Sequence, residues 1–136
     1  MGESDTHKII LVIEDDALNM KLTRSLLNIG GYRCIEAFDA EEGLRLARQI
    51  IPDLILMDIN LPGMDGLTAT RVIKHDPCLL AVPVIALTSH VMLGDRQRAF
   101  EAGCDGYISK PIDTRNFLTE IDRVLKGYVS TLKHNE

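Results

Sequence analysis

Lys8-Ile9-Ile10-Leu11-Val12-Ile13-Glu14-Asp15-Asp16 sets a short, nearly continuous apolar run, rich in β-branched residues, against three carboxylates. A run of that length with no polar face reads as a strand buried on both sides, the kind found in parallel sheets covered by helices. Similar runs recur at Asp53 to Met57, around Leu54-Ile55-Leu56, and at Val82 to Leu87. Shorter candidates lie at Tyr32 to Glu36 and Gly106 to Ile108.

Between these runs the apolar spacing becomes helical. Leu18, Leu22, Leu26 and Ile29 predict one core-facing stripe, stopped by Gly30-Gly31. Asp39 with Glu42 three residues on is a capping-box variant. It opens a helix whose Ala40, Leu44, Ala47 and Ile51 share one face before Pro52 ends it. Further helices are predicted from about Leu67 to His75, before Asp76-Pro77, and from about Met92 to Ala102, before Gly103. Phe117, Leu118, Ile121, Val124 and Leu125 mark the last helix at i, i+1, i+4, i+7 and i+8. Five strand–helix alternations predict an α/β fold: a doubly wound, five-stranded parallel sheet with right-handed crossovers and five helices.

The composition agrees with one globular domain. The chain has 136 residues, 46% hydrophobic and 26% charged. One domain is expected over residues 8–126, between a polar leader (1–7) and a short tail (127–136). Its 15 basic and 20 acidic residues leave a net charge of −5, which argues against a nucleic-acid partner recognised through clustered Lys and Arg. Aromatic residues are 4% with no Trp, too few for base-stacking platforms. Cys34, Cys78 and Cys104 form no CxxC pair and suggest neither a zinc site nor a disulfide framework. No apolar run approaches the roughly 18 residues of a membrane span. Met1-Gly2-Glu3-Ser4-Asp5-Thr6 fits a loose N-myristoylation pattern, but acidic residues follow and no polybasic patch supports an anchor. The expectation is a cytoplasmic protein without membrane or nucleic-acid partners.

In such folds ligands bind beyond the carboxyl ends of the strands. Glu14-Asp15-Asp16 follows the first strand, Asp58 the third, Thr88-Ser89 the fourth, and Lys110-Pro111 the fifth. Carboxylates, a hydroxyl and a cation therefore converge on one rim. Asp16 is expected to cap the helix that follows. The remaining carboxylates would repel one another unless a cation compensates them. Oxygen donors without Cys or His favour a hard ion, and one or two carboxylates with waters and a phosphate is the usual setting of Mg²⁺. Thr88 could then donate to a phosphoryl oxygen, Lys110 could pair with its charge, and a carboxylate could act as the nucleophile.

Four motifs carry a family resemblance: Ile13-Glu14-Asp15-Asp16, Leu56-Met57-Asp58-Ile59-Asn60-Leu61-Pro62-Gly63-Met64-Asp65-Gly66, Ala86-Leu87-Thr88-Ser89, and Gly106-Tyr107-Ile108-Ser109-Lys110-Pro111. In order and spacing they resemble the receiver domain of two-component response regulators, of the stand-alone type, from about Lys8 to Lys126. The resemblance implies the flavodoxin-like, CheY-like strand order 2-1-3-4-5. It implies that Asp58 is the phosphoacceptor, and that Mg²⁺ is held by Asp15, Asp58, the backbone carbonyl of Asn60, and Glu14 directly or through water. Thr88 and Lys110 would hold the phosphoryl group, Tyr107 would change rotamer with Thr88, and Lys110-Pro111 would be cis. The implied donor is a histidine kinase or histidine phosphotransfer protein. With no effector domain expected after Lys126, output would pass to a protein partner or by onward phosphotransfer, from a monomer or a weak phosphorylation-dependent dimer.

Several positions depart from the common pattern. The acidic pair is Glu-Asp rather than Asp-Asp, and Ser89 stands where a small apolar residue is usual. Asn60 and His90, each two residues after a site residue, sit where family members tune dephosphorylation. Two other readings remain open at this point: a pseudo-receiver that binds partners without phosphorylation, and a small Mg²⁺-dependent phosphohydrolase with an aspartyl nucleophile.

Overall fold

The computed structural model describes residues 7–88 and 94–127. β1 (Ile9–Ile13), α1 (Ala17–Ile29), β2 (Arg33–Ala37), α2 (Ala40–Ile50), β3 (Leu54–Asp58), α3 (Gly66–His75), β4 (Val84–Thr88), α4 (Asp95–Glu101), β5 (Gly106–Ser109) and α5 (Phe117–Leu125) follow one another in strict alternation. The strands pair in parallel in the order β2-β1-β3-β4-β5. This is the five-stranded, doubly wound CheY-like sheet expected from the motifs.

The central strands are apolar on both faces because each face has its own helical cover. Leu11, Ile13, Ile55, Met57, Val84 and Ala86 form one core with α2, α3 and Ala99 of α4. Ile10, Val12, Leu54, Leu56, Ile85 and Leu87 form the other with α1 and α5. Adjacent residues of one strand thus enter opposite cores, as the two-residue period of a strand requires.

Helix capping follows the sequence signals. Asp16 accepts from the Asn19 N–H at 3.1 Å and opens α1. Asp39 accepts from the Glu42 N–H at 2.8 Å, while Glu42 accepts from the Phe38 N–H at 3.0 Å, so the box closes one residue before the cap. Asp65 caps α3 through the Thr68 N–H at 2.8 Å.

The buried face of α1 differs from expectation. Leu18 and Ile29 are 77% and 76% exposed and Leu22 is 38% exposed, leaving Leu26 as the buried member of the predicted stripe. Met20, Thr23 and Leu27, at i, i+3 and i+7, join Leu26 against the sheet instead. Two faces of this helix could pack inward, and its docking against β2 and α5 selects the one that carries Met20, Thr23 and Leu27. Ile51 is also misplaced in the predicted α2 face. It lies beyond the helix in the left-handed region (φ 52°) and is 45% exposed. Pro52 disfavours the right-handed helical region for the residue before it, so α2 ends at Ile50.

Strand limits shift modestly. β2 runs to Ala37, and β4 begins at Val84 and reaches Thr88. The predicted start of the fourth helix at Met92 lies outside the described residues, as do Ser89, His90, the residues 1–6 and the tail beyond Gly127.

Candidate functional site

The parallel sheet brings the carboxyl ends of β1, β3, β4 and β5 to one rim. β1 delivers Glu14, whose N–H donates to the Ala37 carbonyl at 3.0 Å and whose side chain is wholly buried. Asp15 follows at the surface. Asp58 is the last residue of β3 and is 3% exposed. Carboxylate oxygens of Glu14, Asp15 and Asp58 all lie within 4.8 Å of one another.

Lys110 crosses the rim to meet them. Its Nζ lies 2.6 Å from Glu14 Oε1 and 3.3 Å from Asp58 Oδ2. The Lys110 N–H donates to the Thr88 carbonyl at 2.7 Å, so β4 itself positions the start of the lysine loop. The Lys110-Pro111 peptide is cis. Thr88 is buried, and its hydroxyl donates to Asn60 Oδ1 at 3.2 Å. The Asn60 N–H donates to Asp58 Oδ1 at 2.9 Å. Tyr107 sits on β5 beside Ala86, largely buried in the core under α3 and α4.

Electrostatics follow from this crowding. Burial pushes Glu14 up to about 7, the Lys110 ammonium opposes that rise, and the Asp58 carboxylate adds to it. Burial alone would lower Lys110, but the hydrogen bond to Glu14 and the charges of Asp58 and Glu14 outweigh it and hold the ammonium above its usual range. Three clustered acids facing one cation leave negative charge to be matched. Oxygen donors of this kind suit a hard divalent cation, so Glu14, Asp15 and Asp58 could hold a metal such as Mg²⁺.

Glu14, Asp15, Asp58 and Lys110 therefore meet on the rim, and Asn60 links Asp58, through its N–H, to the Thr88 hydroxyl. Two features were not legible beforehand. Lys110 is anchored on Glu14 as well as on Asp58, a pairing across 96 residues. Gly66, in the sequence only part of a motif, is a close-approach position. A Cβ there would stand 2.3 Å from the Asp58 carbonyl oxygen and 2.6 Å from Ile59 Cα. The Asp65-Gly66 pair at a helix start is the sequence signal that could have suggested it.

A buried acid at the end of the middle strand thus has further acids, a hydroxyl and a lysine on the same rim. The family model for the response regulator receiver domain matches residues 10–122, and the chain belongs to that family. It is 46% identical over 118 residues to the polar-differentiation response regulator DivK of Brucella anthropi, across 87% of this chain and 96% of that protein. DivK of Brucella abortus matches equally over the same shares. Among solved structures, the receiver domain of a sensor histidine kinase from Pseudomonas aeruginosa, described with a magnesium ion coordinated in its active-site cleft, aligns with a TM-score of 0.78 and 34% identity. That alignment covers 90% of this chain and 98% of that one. Chemotaxis protein CheY4 of Vibrio cholerae shares the fold, with a TM-score of 0.82 at 24% identity over 88% and 99% of the two chains. The chain is thus a response regulator receiver domain similar to DivK, a signalling protein of a family that interacts with histidine kinases or phosphotransfer proteins.

Proposed function

We propose that this response regulator accepts a phosphoryl group on Asp58 from a phosphohistidine of a kinase or phosphotransfer protein. An Asp58 carboxylate oxygen attacks phosphorus, the P–N bond to the donor histidine breaks, and the imidazole leaves with the bonding pair. The observation that carries this reading is the meeting of Asp58, Lys110 and Thr88 on one rim with two further carboxylates. Lys110 faces the oxygen that would carry the phosphoryl group and would pair with its charge. Thr88 would donate to a phosphoryl oxygen. Glu14, Asp15, Asp58 and the Asn60 carbonyl would hold Mg²⁺, which supplies charge neutralisation for the transferred group. Hydrolysis of the acyl phosphate would reset the protein.

Output would follow from Thr88. Drawing its hydroxyl toward the new charge would let Tyr107 change rotamer and reshape the surface of α4, β5 and α5. A partner protein would read that surface, or the phosphoryl group would pass onward. Cytoplasmic action is proposed with it; among the described residues no helix is long and apolar enough to cross a membrane.

Acetyl phosphate with Mg²⁺ tests the reading. The parent should gain one labile adduct of about 80 Da, the mass of a phosphoryl group, and Asp58→Asn should gain none. Equal labelling of Asp58→Asn would sink the assignment. Turnover of many equivalents with no accumulating adduct would instead indicate a phosphohydrolase, and a parent that is neither labelled nor consumes acetyl phosphate a pseudo-receiver.

A further inference from the structure

The contact between Thr88 and Asn60 has a direction. Thr88 is wholly buried and donates, while Asn60 is exposed and accepts through Oδ1 at 3.2 Å. Residue 60 is pinned from two sides. Its N–H donates to Asp58 Oδ1 at 2.9 Å, and the neighbouring Ile59 N–H donates to the Leu87 carbonyl at 3.0 Å. The chain after β3 therefore runs beside β4 as far as Thr88, continuing the register that sets Asp58 against Leu87. One residue thus touches Asp58 through its backbone and Thr88 through its side chain.

A hydroxyl has one proton to donate. A phosphoryl oxygen on Asp58 can receive it only when Asn60 gives it up. We propose that the Asn60 carboxamide is a latch on Thr88, holding the hydroxyl toward the loop after β3 and setting how strongly a phosphoryl group must compete before Thr88 turns to it. This rests on the reading of Asp58 as phosphoacceptor. It concerns the Asn60 side chain, separate from the backbone carbonyl assigned to the metal, and it makes Asn60 a positioning residue that acts through Thr88.

Distances and charge decide which way the competition runs. The 3.2 Å contact is longer than the usual O–H···O spacing of about 2.7–2.8 Å, and both partners are neutral. A hydrogen bond to a phosphoryl oxygen is charge-assisted, shorter and roughly twice as strong. The latch yields to a phosphoryl group, but it must first be broken. Given the modest net worth of one neutral hydrogen bond, its removal should favour the phosphoryl-bound arrangement by about two- to fivefold.

The test uses the full chain, with beryllium fluoride and Mg²⁺ as the phosphoryl mimic. Asn60→Ala should bind the mimic about two- to fivefold more tightly than the parent. Thr88→Ala and the Thr88→Ala/Asn60→Ala double variant should bind it equally, because the latch acts only through the hydroxyl. A second readout needs no metal: three-bond NMR couplings that report Thr88 χ1. They should report the same rotamer in the parent and in Asn60→Asp, which keeps an acceptor oxygen, and a shifted rotamer population in Asn60→Ala. Unchanged or weaker binding by Asn60→Ala, an effect that persists in the Thr88→Ala background, or Thr88 couplings unchanged by Asn60→Ala would each overturn the latch. If the parent failed to bind the mimic, or Asp58→Asn bound it as well, the phosphoacceptor reading would fall instead, and the couplings would still decide the latch.

Discussion

At the scale of single residues, environment separates side chains of the same type. Burial pushes the Cys34 thiol up to about 11, Glu36 adds to the rise and Arg24, ion-paired with Glu36, opposes it. At pH 8 only about a thousandth of such a thiol is thiolate, the reactive form. Cys78 is exposed and Cys104 is buried. Iodoacetamide at pH 8 should therefore modify Cys78 first, as read by peptide mass mapping; equal rates at Cys34 would contradict the burial argument. Asp76 gives a pH prediction. The Cys78 N–H, 2.8 Å away, and the Arg48 side chain at 3.1 Å hold its carboxyl below the usual range. A depressed carboxylate contributes stability above its ordinary pKa and loses it as pH falls through the folded value. Asp76→Asn should thus lower the urea midpoint at pH 7 more than at pH 2, and an equal loss at both would refute the linkage. In the site, the types of Glu14, Asp15, Asp58, Thr88 and Lys110 were legible from their places after apolar runs. The pairing of Lys110 with Glu14 was not, because it joins loops 96 residues apart and no local pattern encodes it.

Among the elements, caps and cores have different origins. Asp16, Asp39 and Asp65 each satisfy an N–H three residues ahead, an interaction contained within one helical turn, and the sequence announces two of them openly. The inner face of α1 is not contained within the helix. Leu18, Leu22, Leu26 and Ile29 make a more apolar stripe than Met20, Thr23 and Leu27, yet the packed sheet buries the second. The two faces predict opposite costs. Leu27→Ala should destabilise the protein by about 2–5 kcal/mol, as for a fully buried leucine, whereas Leu18→Ala should change stability by less than about 0.5 kcal/mol. Chemical denaturation of both variants checks this, and comparable losses would restore the stripe expected from spacing. In α2, Gly43 is a helix-interior glycine with a packing reason: a Cβ there would meet Ile13 Cδ1 at 2.3 Å.

Over the whole molecule, two cores on one sheet hold the rim in register. α3 begins hard against the strand that carries Asp58, and the contact tolerates no added carbon. Because a Cβ on Gly66 would press on backbone atoms of residues 58 and 59, Gly66→Ala should cost about 1–3 kcal/mol and disturb amide signals of the loop after Asp58. A variant with parent stability and an unchanged spectrum of that loop would show the approach to be looser. The alternation of strands and helices and the acids and lysine that end the strands were determined by the sequence alone, since periodicity and capping act over a few residues. So was family membership, because the four motifs keep their order and spacing. Only the tertiary structure decided which stripe of α1 is inside, that Gly66 seals the base of the Asp58 loop, that Glu14 is buried against Lys110, and that the Thr88 hydroxyl donates a hydrogen bond to Asn60. Each depends on what a side chain faces, and that is set by parallel pairing and helix docking between segments far apart in the chain.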